Sequence, residues 1–493
     1  MAKSEPKLAE VPWWPVAGAV AAVCGVLALT AGQYGYHRDE LYFRMLEPAW
    51  GYVDQPPLTP MLARLAAWAF GDTVAAMRVP AIVLIGAAVI LAVLTTRELG
   101  GGRVAQALSA WSFAFCSLPL ITGHLLSTAT VDFALWAAAL LFVVKAQLRG
   151  EPRWWLAFGA VVGVSTYNKL LIAMLVISLG AGLLLVGPRS VLRSKWLWAG
   201  LGLAALLSLP NAIYQITHDF PQLTMAGALS ENNAGEVRIQ VLPFQALLIG
   251  PALLAVWIAG LVALLRREQW RPIRAVGVAY LVALLLTFIG GGQLYYAFGL
   301  QAFLLAAGWV PVQRWMAGTW RRWLVFAAVA VNAVASALIA LPLLPVTEVG
   351  QSPAVALNPT MGDQIGWPQY VAQLAAVYAA LPPEQQRRSV IVTGNYGEAG
   401  AIDRYGPAYG LPPVYSAQNE LYFVGPPPPQ RTVVIAWTQG VARTQRVFSG
   451  CEVRAKMDNG FGVDNEEQGS AVMVCQLPAD GWAAVWPKLQ HYD

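Results

Sequence analysis

The chain has 493 residues, of which 57% are hydrophobic and only 12% are charged, and its net charge is +5. This composition is too apolar for a soluble protein of this length and indicates a membrane protein. The basic residues stand in short loops between apolar runs. We therefore do not interpret the positive charge as a sign of nucleic-acid binding, and we expect no nucleic acid among the partners.

Apolar runs of about 20 residues recur from Trp13 to Leu344, and each is long enough to cross a hydrocarbon core of about 30 Å. Lys3 and Lys7 precede the first run as in a signal peptide, but the length of that run favours an uncleaved span. We predict about eleven spans, at roughly 13–33, 80–98, 104–122, 128–146, 154–168, 170–187, 196–214, 241–265, 273–290, 294–311 and 323–345.

Lys and Arg residues set the predicted orientation. With the N-terminus inside, the loops that carry most of them, from Arg97 to Arg322, are cytoplasmic. The first loop (34–79) and the polar tail are then outside. We predict a membrane domain at residues 1–345, with the first loop as its catalytic part, and a soluble domain at residues 346–493.

Polar residues of the membrane part collect on the predicted outer side, in the first loop, at the outer ends of spans, and in a loop predicted at about 215–240. Transporters place polar groups near mid-membrane and often show two related halves, and this sequence shows neither pattern. A reaction at the outer surface fits better. The outer polar residues are Asp39, Glu40, Asp54, His124, Asp132, Asn168, Lys169, His218, Asp219, Glu231, Glu236, Gln293, Tyr295 and Tyr296.

The first loop is predicted to contain two short helices, Leu41 to Ala49 and Leu58 to Phe70, with Pro56-Pro57 separating them. Both are partly amphipathic. Such helices can lie in the plane of the membrane interface and cover a cavity between spans.

The tail is predicted to be a small α/β domain. Residues 389–393, 432–437 and 471–475 have the composition of strands, and Tyr370 to Leu381 has that of a helix. Cys451 and Cys475 both lie in this exported part, where a disulfide can persist, so we regard a bond between them as possible and free thiols as the alternative.

Several motifs resemble those of the polyprenyl-phosphate-sugar-dependent glycosyltransferases with the GT-C fold. The nearest group is glycosyltransferase family 39 with its bacterial relatives, which includes the protein O-mannosyltransferases and the lipid A aminoarabinose transferase. Asp39-Glu40 after the first span resembles that group's acidic pair, and Asp54 to Leu58 its Glu-Lys-Pro-Pro-Leu. Thr130 to Asp132 resembles its second acidic site, Tyr167 to Lys169 its Thr-Lys-Gly, and Gly291 to Tyr296 its Gly-Lys-x-x-Tyr-Tyr.

The resemblance implies an α-helical polytopic protein of a bacterial cytoplasmic (inner) membrane, with its active site and its C-terminal α/β domain outside. The implied reaction moves one sugar from a polyprenyl-phosphate donor to an extracytoplasmic acceptor, which is a glycolipid, a wall polymer or a protein. Gln55 and Gln293 depart from the group, which often carries Lys there. A transporter or flippase of lipid-linked sugars and a non-catalytic scaffold that displays the tail are the alternatives.

Such a transfer needs a base for the acceptor and cations for the leaving phosphate. Asp39, among aromatic residues, is the predicted general base. The alternative is an interfacial acid paired with Arg38 or Arg44. Glu40 orients Asp39, binds acceptor or faces water.

The remaining candidates are assigned to sugar or phosphate binding, and four of them have a structural alternative. In the alternatives, Asp132 caps the start of its helix, Lys169 anchors its span at the membrane interface, and Tyr295 and Tyr296 belong to an aromatic belt. No Cys or His cluster has metal-ligand spacing, so we expect no cofactor and no divalent metal. The candidates for acceptor or sugar binding are Asp54, Gln55, His124, Asp132, Tyr295 and Tyr296. The candidates for donor-phosphate binding are Lys169, Arg78 and Gln293.

Overall fold

The computed structural model describes residues 8–493, so Lys3 and Lys7 lie outside the described part. The chain divides into two units. The membrane unit comprises the residues up to Ala31, Gln55–Thr59 and Arg78–Leu341. The α/β unit comprises Gly32–Asp54, Pro60–Met77 and Pro342–Asp493. The predicted division of the chain at residue 345 remains a prediction.

The protein is a multi-pass membrane protein. In the described chain, six helices are long and apolar enough to cross a membrane, or eight segments if each of two bent pairs is one span. The predicted number of about eleven spans is therefore not confirmed. The helices outside the α/β unit, or shared with it, are Trp13–Thr30, Val74–Glu98, Arg103–Ala114, Ser117–Gly123, Thr128–Leu148, Trp154–Ser165, Ile172–Leu185, Lys195–Thr217, Pro221–Ile249, Leu254–Arg266, Arg274–Gly290, Phe298–Trp315 and Thr319–Ala340.

Two predicted spans are short helices. Trp154–Ser165 has 12 residues and Ile172–Leu185 has 14, and at a rise of about 1.5 Å per residue neither reaches about 30 Å. Glycine lets the first of them pack closely on Lys195–Thr217, because a Cβ on Gly159 would come within 1.9 Å of the Gly200 carbonyl oxygen. The chain turns between the two short helices at Asn168 and Lys169.

The prediction of a loop at about 215–240 is wrong. Pro221–Ile249 is one helix of 29 residues with proline in its first turn. The predicted span 241–265 is also wrong in its geometry, because the chain bends by 86° between Pro221–Ile249 and the next helix. His218 and Asp219 precede this helix, and Glu231 and Glu236 lie within it.

The α/β unit contains a five-stranded sheet in the order β2-β1-β3-β5-β4. β1 is parallel to both β2 and β3, whereas β5 is antiparallel to β3 and β4. The three predicted strands are confirmed within one residue. The strands are β1 (Ser389–Thr393), β2 (Val414–Ser416), β3 (Val433–Thr438), β4 (Ser449–Lys456) and β5 (Ala471–Gln476). Cys451 and Cys475 form a disulfide between β4 and β5.

Helices of the α/β unit include both helices predicted for the first loop, although the first begins and ends earlier than predicted, at Arg38–Met45. The predicted helix in the tail is confirmed as Trp367–Ala379. The helices are Arg38–Met45, Leu58–Phe70 (which starts in the membrane unit), Val346–Val349, Ala354–Leu357, Pro359–Gly362, Trp367–Ala379, Pro383–Arg387, Tyr396–Tyr405, Val441–Val447 and Gly481–Leu489.

Candidate functional site

Asp39 lies in the first turn of helix Arg38–Met45, where it contacts a residue from the tail. The hydroxyl of Tyr396 donates a hydrogen bond of 2.9 Å to Oδ1 of Asp39. Oδ2 makes no hydrogen bond within residues 8–493 and lies 3.9 Å from Nδ1 of His37. The side chain is 32% exposed. One carboxylate oxygen is thus fixed, and the other is accessible to a ligand.

The start of this helix is fixed by a capping box. His37 is the N-cap, its ring accepts the N–H of Asp39 at 3.2 Å, and the carboxylate of Glu40 accepts the N–H of His37 at 2.8 Å. Glu40 is completely buried. The alternative that Glu40 faces water is therefore wrong, and its carboxylate helps to fix the turn that carries Asp39.

The alternative that Asp39 pairs with Arg38 or Arg44 is also wrong. Arg44 forms a bidentate ion pair with Asp72, at 2.7 and 2.8 Å. It also forms a single ion pair of 3.1 Å with Asp403. Arg38 is also engaged elsewhere, with Glu466.

Arg38 forms an ion pair with Glu466, and its guanidinium lies 4.9 Å above the ring of Tyr396. The Tyr396 ring in turn packs 4.7 Å from that of Tyr42. Burial, followed by the charge of Asp39, raises the pKa of Tyr396 well above its usual range. Its hydroxyl therefore stays protonated at neutral pH and remains a donor to Asp39.

Asp54 belongs to the same unit as Asp39. Its Oδ1 accepts a hydrogen bond of 3.1 Å from the hydroxyl of Tyr42. Burial raises the pKa of Asp54 to about 7, although the Tyr42 hydrogen bond opposes the shift. The nearby charges of Glu420 and Asp39 raise it further. Asp54 can thus exchange a proton near neutral pH.

In the membrane unit, Asn168 joins two other candidate regions. It is fully buried, its amide donates to Asp132 Oδ1 at 2.8 Å, and it accepts the hydroxyl of Thr59 at 2.6 Å. Asp132 does not cap its helix, because Ser127 is the N-cap and accepts the N–H of Thr130. The helix-cap alternative for Asp132 is therefore wrong.

Lys169 follows Asn168 and lies over two aromatic rings. Its Nζ is 4.8 Å from the ring centre of Tyr296 and 5.9 Å from that of Tyr295. Gln293 lies in the same turn and is half-buried, and its carbonyl accepts the N–H of Tyr296. The structure thus brings two predicted residues, Tyr295 and Tyr296, to the predicted cation, and Gln293 lies in the same turn as these tyrosines.

Arg78 and His124 meet elsewhere in the membrane unit. Both are buried, and Nη1 of Arg78 lies 3.1 Å from Nε2 of His124 and donates to the Ala31 carbonyl at 2.9 Å. Because the guanidinium can only donate, Nε2 of His124 is the acceptor in this contact. This contact joins a candidate phosphate ligand to a candidate sugar ligand.

Eleven buried polar atoms of the membrane unit have no hydrogen-bond partner among the described residues, and two of them, Nε2 of Gln55 and Oδ2 of Asp132, belong to candidate site residues. A buried polar group without a partner costs about 1–3 kcal/mol. Such atoms are expected where a ligand supplies the missing partner.

Sequence reasoning assigned no role to Tyr396, Asn168 or Thr59. Tyr396 had a local signal, since Asn395 and Glu398 form a capping box directly after β1 and so start a helix at Tyr396. Across residues 8–493, no group of three or more His, Cys, Asp or Glu side chains is arranged to hold a metal ion.

Comparisons with known proteins identify the fold. Residues 54–214 match the model of the dolichyl-phosphate-mannose-protein mannosyltransferase family. ArnT from Cupriavidus metallidurans, crystallised with undecaprenyl phosphate, superimposes with a TM-score of 0.62 at 14% identity, over 95% of this chain and 99% of ArnT. The chain has the GT-C fold. The resemblance inferred from sequence is thereby confirmed.

A second GT-C structure agrees. The arabinofuranosyltransferase AftD from Mycobacteria superimposes with a TM-score of 0.55 at 14% identity, over 96% of this chain and 41% of AftD. No curated protein matches the chain by sequence. At these identities the structural likeness establishes the GT-C fold, and the chemistry has to be argued from the residues.

Proposed function

We propose that this chain is a membrane glycosyltransferase that moves one sugar from a polyprenyl-phosphate donor to an acceptor outside a bacterial cytoplasmic membrane. The description of the matched family names a lipid-phosphate sugar as donor, and ArnT was crystallised with undecaprenyl phosphate. Basic residues in the predicted inner loops support an orientation with the α/β unit outside.

The proposed reaction is a single displacement. An acceptor hydroxyl or amine attacks the anomeric carbon, its proton passes to Asp39, and the bond from that carbon to the phosphate oxygen breaks with its electron pair on the phosphate. By family resemblance the configuration inverts. The base must be accessible and held in position.

The observation that carries the proposal is the state of Asp39. Tyr396 fixes Oδ1, while Oδ2 makes no hydrogen bond among the described residues and the side chain is partly exposed. Arg38 and Arg44 are paired with other carboxylates, so no ion pair at those arginines competes with the acceptor proton for Asp39. The turn itself is held by the buried Glu40.

We assign donor binding to the membrane unit. Lys169 and Arg78 supply positive charge for the phosphate, and we assign Gln293 to it as well, from the turn that carries Tyr295 and Tyr296. Nε2 of Gln55 is a buried donor without a described partner, so it provides a neutral contact where related enzymes often carry Lys. Oδ2 of Asp132 is the matching acceptor for a sugar hydroxyl.

The test is a transfer assay in liposomes with radiolabelled polyprenyl-phosphate sugars and a membrane extract as acceptor pool. We expect wild type to transfer label and Asp39→Asn to lose at least 100-fold in rate, as a positioned general base contributes about 10²–10⁴-fold. Asp480→Asn, at an exposed position of the tail, is the matched control and should retain the wild-type rate.

Activity of Asp39→Asn near the wild-type level would refute the role of Asp39 as base. Failure of folded wild type to release sugar from any donor would refute the transferase. Movement of intact donor across the liposome membrane would then support the flippase alternative.

A further inference from the structure

A cavity lies in the α/β unit, at the carboxyl ends of β1 and β3. Its volume is about 240 Å³, and the segments after the two strands, Thr393 to Asn395 and Thr438 to Gly440, form part of its wall. From β1 the chain continues to β2 on one side of β1, and it then crosses to β3 on the other side. Ligands of open α/β sheets bind at this kind of reversal, outside the carboxyl ends of the strands.

The wall of the cavity is polar and apolar in about equal parts, and its charged side chains are Arg443, Glu466 and Asp493. The side chains with donor or acceptor groups include Asn395, Gln418, Gln439, Arg443, Glu466 and His491. Glu466 is already paired with Arg38. Arg443 is exposed, and its guanidinium makes no hydrogen bond or ion pair to any residue of the described chain. It is a cation that a ligand can contact.

The cavity is not built as a phosphate site, although helix Tyr396–Tyr405 begins beside it. A phosphate at a helix start needs free backbone N–H groups. Here Glu398 accepts the N–H of Gly394 at 2.8 Å and that of Asn395 at 3.1 Å. Gln418 accepts the N–H of Tyr396 at 2.7 Å, and the Asn395 side chain accepts that of Glu398 at 2.8 Å. The chain's own side chains therefore occupy the anion site.

At the second helix start beside the cavity, one backbone N–H group is engaged within the chain. Gly440 precedes helix Val441–Val447, and its N–H donates to the hydroxyl of Thr438 at 2.9 Å. Gln439 is exposed, and its amide donates to Glu398 at 2.9 Å. Its carbonyl oxygen is an acceptor directed at the cavity wall near Gly394. The wall thus presents amide, hydroxyl and guanidinium groups to a ligand, beside the carboxylate of Asp493.

We infer that this cavity binds a neutral carbohydrate, namely one sugar ring at the end of the acceptor glycan. Amides, hydroxyls and one guanidinium match the alternating donors and acceptors of a sugar. The volume is below the usual range of about 300–1,000 Å³ for ligand pockets, which favours a single ring. The inference rests on the proposed function only in identifying this glycan as the acceptor.

The location of the cavity suits an acceptor site. Asn395 in its wall is followed by Tyr396, which holds Asp39, and Glu466 in its wall pairs with Arg38, which precedes Asp39. A glycan held here would be close in the fold to the proposed base. The α/β unit can therefore hold the acceptor glycan by itself, without contacts from the membrane unit.

The experiment measures binding to the full-length protein in detergent, by saturation-transfer NMR for the sugars and by ³¹P NMR line broadening for phosphate. The probes are neutral oligosaccharides that end in mannose, glucose, galactose or arabinose, with inorganic phosphate as the anionic comparison. We expect saturable binding of at least one neutral probe and none of phosphate. Arg443→Ala should weaken that binding about tenfold, the size of one charged hydrogen bond. Arg446→Ala, on the same helix but outside the cavity wall, should not.

Each of three outcomes overturns the inference: no neutral probe binds, phosphate binds instead, or binding is unchanged in both Arg443→Ala and Gln439→Ala. The proposed function is tested separately, because Asp39→Asn should lose transfer and keep glycan binding. Transfer by a wild type that binds no neutral probe would overturn the cavity inference alone. Glycan binding without transfer from any donor would overturn the transferase and leave a carbohydrate-binding site.

Discussion

Replacing Tyr396 by Phe removes one hydroxyl and should slow transfer without unfolding the α/β unit. The hydroxyl donates 2.9 Å to Oδ1 of Asp39. The ring makes the other contacts, 4.7 Å from the ring of Tyr42 and 4.9 Å from the guanidinium of Arg38, and Phe retains that ring. The substitution therefore tests one hydrogen bond to the proposed base.

The expected loss of rate follows from the negative charge of the Asp39 carboxylate, which accepts this hydrogen bond. A hydrogen bond to a charged group contributes about 1.5–3 kcal/mol. If this bond orients Asp39 in the transition state, its loss lowers kcat by about 10- to 150-fold, since about 1.4 kcal/mol is tenfold in rate. KM for the donor should stay near the wild-type value, because Tyr396 belongs to the unit to which we assign no donor contact.

The assay is the liposome transfer reaction at saturating donor, with kcat and KM determined for both proteins. Tyr409→Phe is the control, because Tyr409 is exposed and makes no described hydrogen bond through its hydroxyl. The reasoning fails if Tyr396→Phe has the wild-type kcat. It also fails if Tyr396→Phe loses thermal stability in proportion to its loss of rate, since the tyrosine would then be structural.

Three further substitutions test other parts of the molecule. Because the pKa of Asp54 is raised from 3.8 to about 7, the native state binds more protons than the unfolded state, so stability falls as pH rises between these values by up to roughly 4 kcal/mol; Asp54→Asn should flatten this part of the melting-temperature curve, and an unchanged slope would contradict the assignment. Lys169→Ala should weaken polyprenyl-phosphate binding about 10- to 100-fold in calorimetry, whereas Lys195→Ala, a lysine over another aromatic ring, should not. A Cβ on Gly400 would come within 2.7 Å of Leu41, so Gly400→Ala should destabilise the α/β unit by about 1–3 kcal/mol in thermal unfolding; unaltered melting would show that the two helices can separate freely.

The elements predicted well are those with a strong local signal. β1 and β5 are short runs rich in Val and Ile or Met, bounded by polar residues, and such runs have the composition of buried strands. The helix Pro221–Ile249 has the opposite character, since it contains Gly227, Gly235 and a polar stretch at 230–233. These residues favour loops locally. No local feature of the sequence of this segment shows that the helix continues through its glycines and its polar stretch.

The Asp39–Tyr396 contact could not be predicted from local patterns, because its partners are 357 residues apart. The capping box at Asn395 and Glu398 predicts where the helix starts, but it does not identify the surface on which the helix packs.

Two glycines of helix Tyr396–Tyr405 explain why this helix packs on helix Arg38–Met45. A Cβ on Gly397 would come within 2.8 Å of Arg38, just as one on Gly400 would meet Leu41. Gly397 and Gly400 lie three residues apart on one face, so the helix presents a smooth surface on which Arg38–Met45 can lie closely. Helical side chains point back toward the N-terminus, and Tyr396 at the first helical position can therefore reach past this contact to Asp39. The glycine spacing and the capping box together specify the position of the proposed base, although neither does so alone.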